Sequence, residues 1–170
     1  INLRPGYIIT NENDSIYGSI DFRTADRNSH QCVFKNPLTG ETKTYHPGDI
    51  YAYRFTDDGR FYVTRTITIN EREQTLFLEY IIQGIISLYY YRADEPSYFF
   101  EAEDGRMIEV TNKEELVQTE SGGNAYKRDL KYIGILNYLF SDSDKVKKKM
   151  KNVSFSRDYF ADLTKDYHYE

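Results

Sequence analysis

The chain has no tryptophan, one cysteine, four prolines and three histidines in 170 residues. A lone thiol, Cys32, closes no intramolecular disulfide, so cysteine usage gives no sign of an oxidising compartment and excludes none. Long apolar runs are also missing. The longest, Tyr80 to Tyr91, is interrupted by Gln83, Gly84 and Ser87 and falls short of the roughly 20 residues of a membrane helix, so no membrane-spanning segment is expected. Positive charge is in deficit: 22 Lys and Arg against 27 Asp and Glu leave a net charge of −5. That is the reverse of the basic footprint of a nucleic-acid-binding domain, so no nucleic-acid partner is expected. The chain begins at Ile1 rather than Met, which leads to the expectation of a removed upstream segment, a cleaved export signal being one source.

Aromatic rings are abundant instead, 17 Tyr and 10 Phe, so hydroxyl-tipped rings must serve both core and surface. Over the first two thirds they lie in short alternating segments. Ile16, Gly18, Ile20 and Phe22 oppose Tyr17, Ser19 and Asp21, the period of a half-buried strand. With Tyr7 to Thr10 before it and the turn residues Asn11 to Asp14 between, residues 7 to 22 read as a β-hairpin. Phe61, Val63, Arg65, Ile67 and Ile69 repeat the alternation, and Arg65 marks a polar patch midway along that strand. Asp57-Asp58-Gly59-Arg60 and Glu103-Asp104-Gly105-Arg106 carry an Asp-Gly pair suited to the positive φ of a tight turn. Pro37 to Gly40 and Gln83-Gly84 are further turns, the latter dividing Phe77 to Arg92 into two strands. The β-branched and aromatic bias of that stretch favours strands over a buried helix.

After Thr111 the period changes. Thr111 to Leu116 has a cap residue followed by acids, a helix-start signal, and Ser121 to Asn124 reads as a flexible break. Ala125 to Phe140 places Tyr126, Leu130, Ile133, Leu136 or Asn137, and Phe140 on one helical face. Ser141 to Asp144 caps another helix and Ser156 a last one bearing Phe160, Leu163 and Tyr167. The expectation is an α+β fold, with an antiparallel β-meander or barrel-like region over 1–112 and a helical region over 113–170 packed on it as one domain.

Candidate chemistry is sparse. His30, His46 and His168 are far apart in sequence and none has ligand spacing to a neighbour, so no metal and no cofactor is assigned. His46 reads as a turn residue capped by Asp49. Cys32 reads as a small buried hydrophobe. Ser121-Gly122-Gly123 lacks the Gly-Lys-Ser/Thr ending of a phosphate loop, and the lysines of Asp144 to Lys151 read as a solvated helix face. Leu88 to Phe100 concentrates six rings in 13 residues. On one face of that strand Tyr89 and Tyr91, beside Arg92, form a candidate partner-binding surface for an extended peptide or glycan. Cross-strand packing of those rings is the competing reading.

Four stretches, Gly6 to Arg23 (GYIITNENDSIYGSIDFR), Tyr45 to Phe55 (YHPGDIYAYRF), Phe77 to Arg92 (FLEYIIQGIISLYYYR) and Lys131 to Asp142 (KYIGILNYLFSD), together resemble a group of uncharacterised exported cell-envelope proteins of Bacteroidetes. In that group a signal peptide precedes a tyrosine-rich β-region with a helical tail, and some members continue into an outer-membrane β-barrel. The resemblance implies an exported chain, periplasmic or outer-membrane associated, and carries no catalytic residues with it. The expected function is therefore a non-enzymatic envelope interaction module for a protein, peptide or glycan partner. The alternative is a hydrolase whose carboxylates, such as Asp49, Asp57 and Glu79, or histidines converge only in the fold.

Overall fold

The computed structural model describes residues 1–92, 95–110, 114–128, 131–150 and 154–168. Seven strands precede the Gln83-Gly84 turn: β1 Leu3–Ile9, β2 Ser15–Asp21, β3 Cys32–Lys35, β4 Thr42–Tyr45, β5 Ala52–Phe55, β6 Phe61–Ile69 and β7 Arg72–Ile82. β8 Ser87–Arg92, β9 Pro96–Glu101 and β10 Met107–Val110 follow it. They form an antiparallel sheet in the order β10-β9-β8-β7-β6-β5-β1-β2-β3-β4. With the helices, mostly C-terminal, the chain is the α+β meander read from its sequence. The chain divides into two compact units, residues 1–81 with 89–96, and residues 82–88 with 97–170.

In the first unit β1 and β2 make the expected hairpin, with Gly6 opposite Gly18 and Tyr7 opposite Tyr17. β4 lies at the sheet edge, yet β5 pairs with β1, three strands further in. The strands share a common core of Ile8, Ile20, Phe34, Tyr53, Phe55, Tyr62 and Phe77. A short helix absent from the sequence reading, α1 Ala25–His30, begins at Thr24, whose side chain accepts from the Arg27 N–H. It buries Asn28 and Ser29. The Tyr53 hydroxyl donates to the Asn28 carbonyl, which gives a fully buried phenol its partner.

Turn chemistry follows sequence where glycine is present. Gly59 has φ +78° and Gly105 φ +86°, as the Asp-Gly pairs predict. The β6–β7 turn manages without glycine, since Asn70 (φ +51°) and Glu71 (φ +64°) both take the left-handed conformation that a two-residue turn requires.

Among its described residues the second unit holds three helices, α2 Lys131–Leu139, α3 Asp144–Lys149 and α4 Arg157–His168, and a further hairpin, β11 Glu114–Gln118 with β12 Asn124–Arg128. That hairpin corrects two expectations. The helix start read at Thr111 to Leu116 is a strand from Glu114 on, its first three residues lying outside the described ones. The helix read over Ala125 to Phe140 is a strand up to Arg128 and a helix over Lys131–Leu139, with residues 129–130 lying outside the described ones. The reason is the supposed flexible break, which is a closed turn. Gly122 has φ +85°, the Thr119 N–H donates to the Gly123 carbonyl at 2.7 Å and the Gly122 N–H to the Thr119 carbonyl at 3.0 Å. Five cross-strand pairs then outweigh local helix capping, a weak preference by comparison. The later caps are as read: Ser143 accepts from the Val146 N–H and Ser156 from the Tyr159 N–H, both at 3.2 Å. α4 turns Phe160 and Leu163 inward, and Phe160 meets Tyr98 and Phe100 of β9 edge-on, at 5.0 and 5.9 Å between centroids.

Candidate functional site

The Tyr89, Tyr91 and Arg92 surface expected from sequence does not form. Tyr89 is 0% and Tyr91 5% exposed, and only Arg92 reaches solvent. Alternation predicts one open face per strand, but β8 lies between β7 and β9 in the sheet and is buried on both faces from Ser87 to Tyr89. Tyr89 ends a row of side chains crossing six neighbouring strands of the first unit. Tyr17 and Tyr7 are 5.0 Å apart, Tyr7 is opposite Arg54, the Arg54 guanidinium lies 5.5 Å from the Phe61 ring, Phe61 stacks on Tyr80 at 5.8 Å, and Tyr80 meets Tyr89 at 4.6 Å. The Arg65 guanidinium closes over Tyr51 and Tyr89, 5.5 Å from each, which explains a cation on an otherwise apolar face.

The carboxylates of the hydrolase reading occupy three separate settings. Asp49 accepts from the His46 N–H at 2.8 Å and caps its turn as expected. Asp57 pairs with Arg4 at 3.7 Å, and Glu79 is buried opposite Tyr62. Cys32 is 1% exposed, and burial pushes its thiol well above its ordinary range. Among the described residues no three His, Cys, Asp or Glu side chains form a metal-binding group. No described helix is long and apolar enough to cross a membrane.

The residues that do come together belong to the second unit. An open cleft of about 410 Å³ lies where the β9–β10 turn faces the end of α2. Its chemistry begins with Glu103 to Arg106. Gly105 reverses the chain, and the Arg106 N–H and side chain both fold back on Asp104, at 3.0 and 2.6 Å. These two contacts with Arg106, the backbone one first, hold the Asp104 carboxyl below the usual carboxylate range. The same Arg106 reaches the Tyr138 hydroxyl at 3.4 Å. Tyr138 projects from α2 and is 63% exposed, while the next residues, Leu139 and Phe140, are buried. Across the cleft Tyr167 of α4 donates to Asp142 at 3.0 Å, its ring edge-on to Phe140 at 5.3 Å. Ser141 adds a hydroxyl to the lining.

The wall beside Ile86 is fixed by His168. Its Nδ1 accepts from the Ile85 N–H at 3.3 Å and its Nε2 lies 2.9 Å from the Ile86 carbonyl. Both ring nitrogens are thereby engaged by the backbone of residues 85 and 86. Gly84 makes room for it, because a Cβ there would overlap the imidazole. His168 is thus a half-buried residue held by the backbone of residues 85 and 86.

Sequence reasoning read Glu103 to Arg106 as a turn alone and passed over Tyr138. The available signal was position: Tyr138 lies off the stripe formed by Ile133, Leu136 and Phe140, so packing does not account for its ring. The parallel turn at Asp57 to Arg60 folds Arg60 back on Asp58 in the same way, at 3.0 Å from the backbone N–H. There the guanidinium ends 5.3 Å from the Phe22 ring, a ring that Arg4 also covers at 4.0 Å. One local motif serves packing in the first unit and lines the cleft in the second.

Comparison of the chain with protein-family models, curated proteins and solved structures finds no match, so the cleft is interpreted on its own geometry.

Proposed function

We propose that this chain is a non-enzymatic interaction module of the cell envelope, exported to the periplasm or the outer membrane, and that it holds a protein, peptide or glycan partner in the cleft of its second unit. The observation that carries the reading is the exposed Tyr138 ring, tethered by Arg106 and flanked by the paired groups Asp104–Arg106 and Asp142–Tyr167. An oriented ring among fixed donors and acceptors is the composition of a recognition site, because little ordering entropy remains to be lost on binding. The envelope location is supported by the resemblance of the four stretches above to exported Bacteroidetes proteins. The test is capture of envelope components by the immobilised full chain and by its Tyr138→Ala variant. Recovery of a partner, chemically unchanged, by the wild type and at least tenfold less by the variant is expected. Equal recovery by both would remove the cleft from the function, and recovery of cleaved material would favour the hydrolase alternative.

A further inference from the structure

We propose that the cleft takes an uncharged sugar unit of a glycan, stacked on Tyr138 and held through its hydroxyls by Asp104, Arg106 and Asp142. The inference rests on the cleft being the contact site and goes further by naming the ligand class. A pyranose has an apolar C–H face rimmed by hydroxyls that both donate and accept. It therefore needs a solvent-facing ring with donors and acceptors at its edge. Tyr138 is that ring, 63% exposed and bonded through its hydroxyl to Arg106 at 3.4 Å, so stacking requires no search for a rotamer. At its edge the Asp104 carboxylate and the Arg106 guanidinium are joined at 2.6 Å, offering acceptors and donors side by side to neighbouring hydroxyls. Asp142, bonded to Tyr167 at 3.0 Å, retains acceptor capacity.

Charge and shape disfavour the other ligand classes. Glu103, Asp104 and Asp142 against Arg106 make the site repel anions, which removes phosphorylated and acidic ligands. Two of those carboxylates are already engaged by Arg106 and Tyr167, which lowers their pull on a cationic peptide. The apolar lining residues Ile86 and Leu139 are 5% and 8% exposed, so no socket opens for the large side chain with which a peptide usually anchors.

The full-length chain would be titrated by calorimetry and by NMR with maltohexaose, cellohexaose, mannohexaose and chitohexaose, and with hexalysine as the cationic peptide probe. Binding of at least one oligosaccharide is expected, weakened tenfold or more in Tyr138→Ala and in Asp104→Ala. Tyr138→Phe, which keeps the ring and loses only the hydroxyl, should bind within about threefold of wild type. Far-UV circular dichroism of the three variants should match wild type, since the substituted side chains are exposed. If no oligosaccharide binds while hexalysine does so in a Tyr138-dependent manner, the sugar assignment is overturned and the interaction module stands. If an oligosaccharide binds equally well to wild type and Tyr138→Ala, the stacking role is overturned. If neither class of probe binds and partner capture is also indifferent to Tyr138, the cleft itself is overturned as the contact site.

Discussion

Tyr89 shows how one residue can satisfy a sequence pattern and still have a different role. Its ring, fully buried, is packed by Tyr80 and covered by the Arg65 guanidinium. Tyr89→Ala should therefore cost about 3 kcal/mol or more, the usual loss for emptying an aromatic site, read as a lower urea midpoint with an unchanged m-value. A loss under about 1 kcal/mol would contradict the packing. Asp21 makes a different kind of contribution. Burial alone would raise its pKa, but the Asn2 N–H at 2.7 Å and the Arg23 side chain at 2.6 Å prevail and hold the carboxyl below its ordinary value. The folded chain therefore binds this proton less readily than the unfolded one. The resulting stability is present above the ordinary carboxylate pKa, about pH 4, and is lost as pH falls through the lowered folded pKa. Urea melts at pH 7 and pH 3 should show Asp21→Asn markedly less stable than wild type at the higher pH and nearer to it at the lower. An equal gap at both would show that Asp21 contributes no pH dependence.

Among the elements, those specified by local chemistry were legible in the sequence and those settled by distant partners were not. Asp-Gly pairs require positive φ and found it at Gly59 and Gly105. Replacing either by Val should cost at least about 1 kcal/mol, because a branched side chain is strained in that conformation; thermal melts unchanged from wild type would refute this. The Ser143 and Ser156 caps were legible for the same local reason. Asn70-Glu71 was missed as a turn because neither residue is a glycine, and pairing along the whole of β6 and β7 imposes the conformation on them. Glu114 to Gln118 overlaps the helix-start sequence of Thr111 to Leu116 and joins a hairpin because its partner, Asn124 to Arg128, is a short turn away. The cleft was the least legible part. Arg106 and Tyr138 are 32 residues apart, and no periodicity joins a turn to a helix end.

For the whole molecule, the two units are not consecutive halves of the chain. Residues 82–88 leave the first unit for the second, 89–96 return, and 97 onward belongs to the second. A fragment ending at residue 112 would retain every strand of the first unit. It would also carry β9 without the Phe140, Phe155 and Phe160 rings that pack on Tyr98 and Phe100. That fragment should bind a hydrophobic dye and self-associate, as followed by light scattering; a monomeric fragment without dye binding would show that β9 needs no helical cover. The same arrangement sets an order of events at the ribosome. Everything the first unit requires has been synthesised once Pro96 is made, whereas Phe100 must wait for Phe160, about 60 residues further on. At cellular elongation rates of about 5–20 residues per second that is roughly 3–12 s of exposure. The nascent chain therefore passes through an interval in which one unit has all its residues and the other presents an aromatic strand to whatever chaperone meets it first.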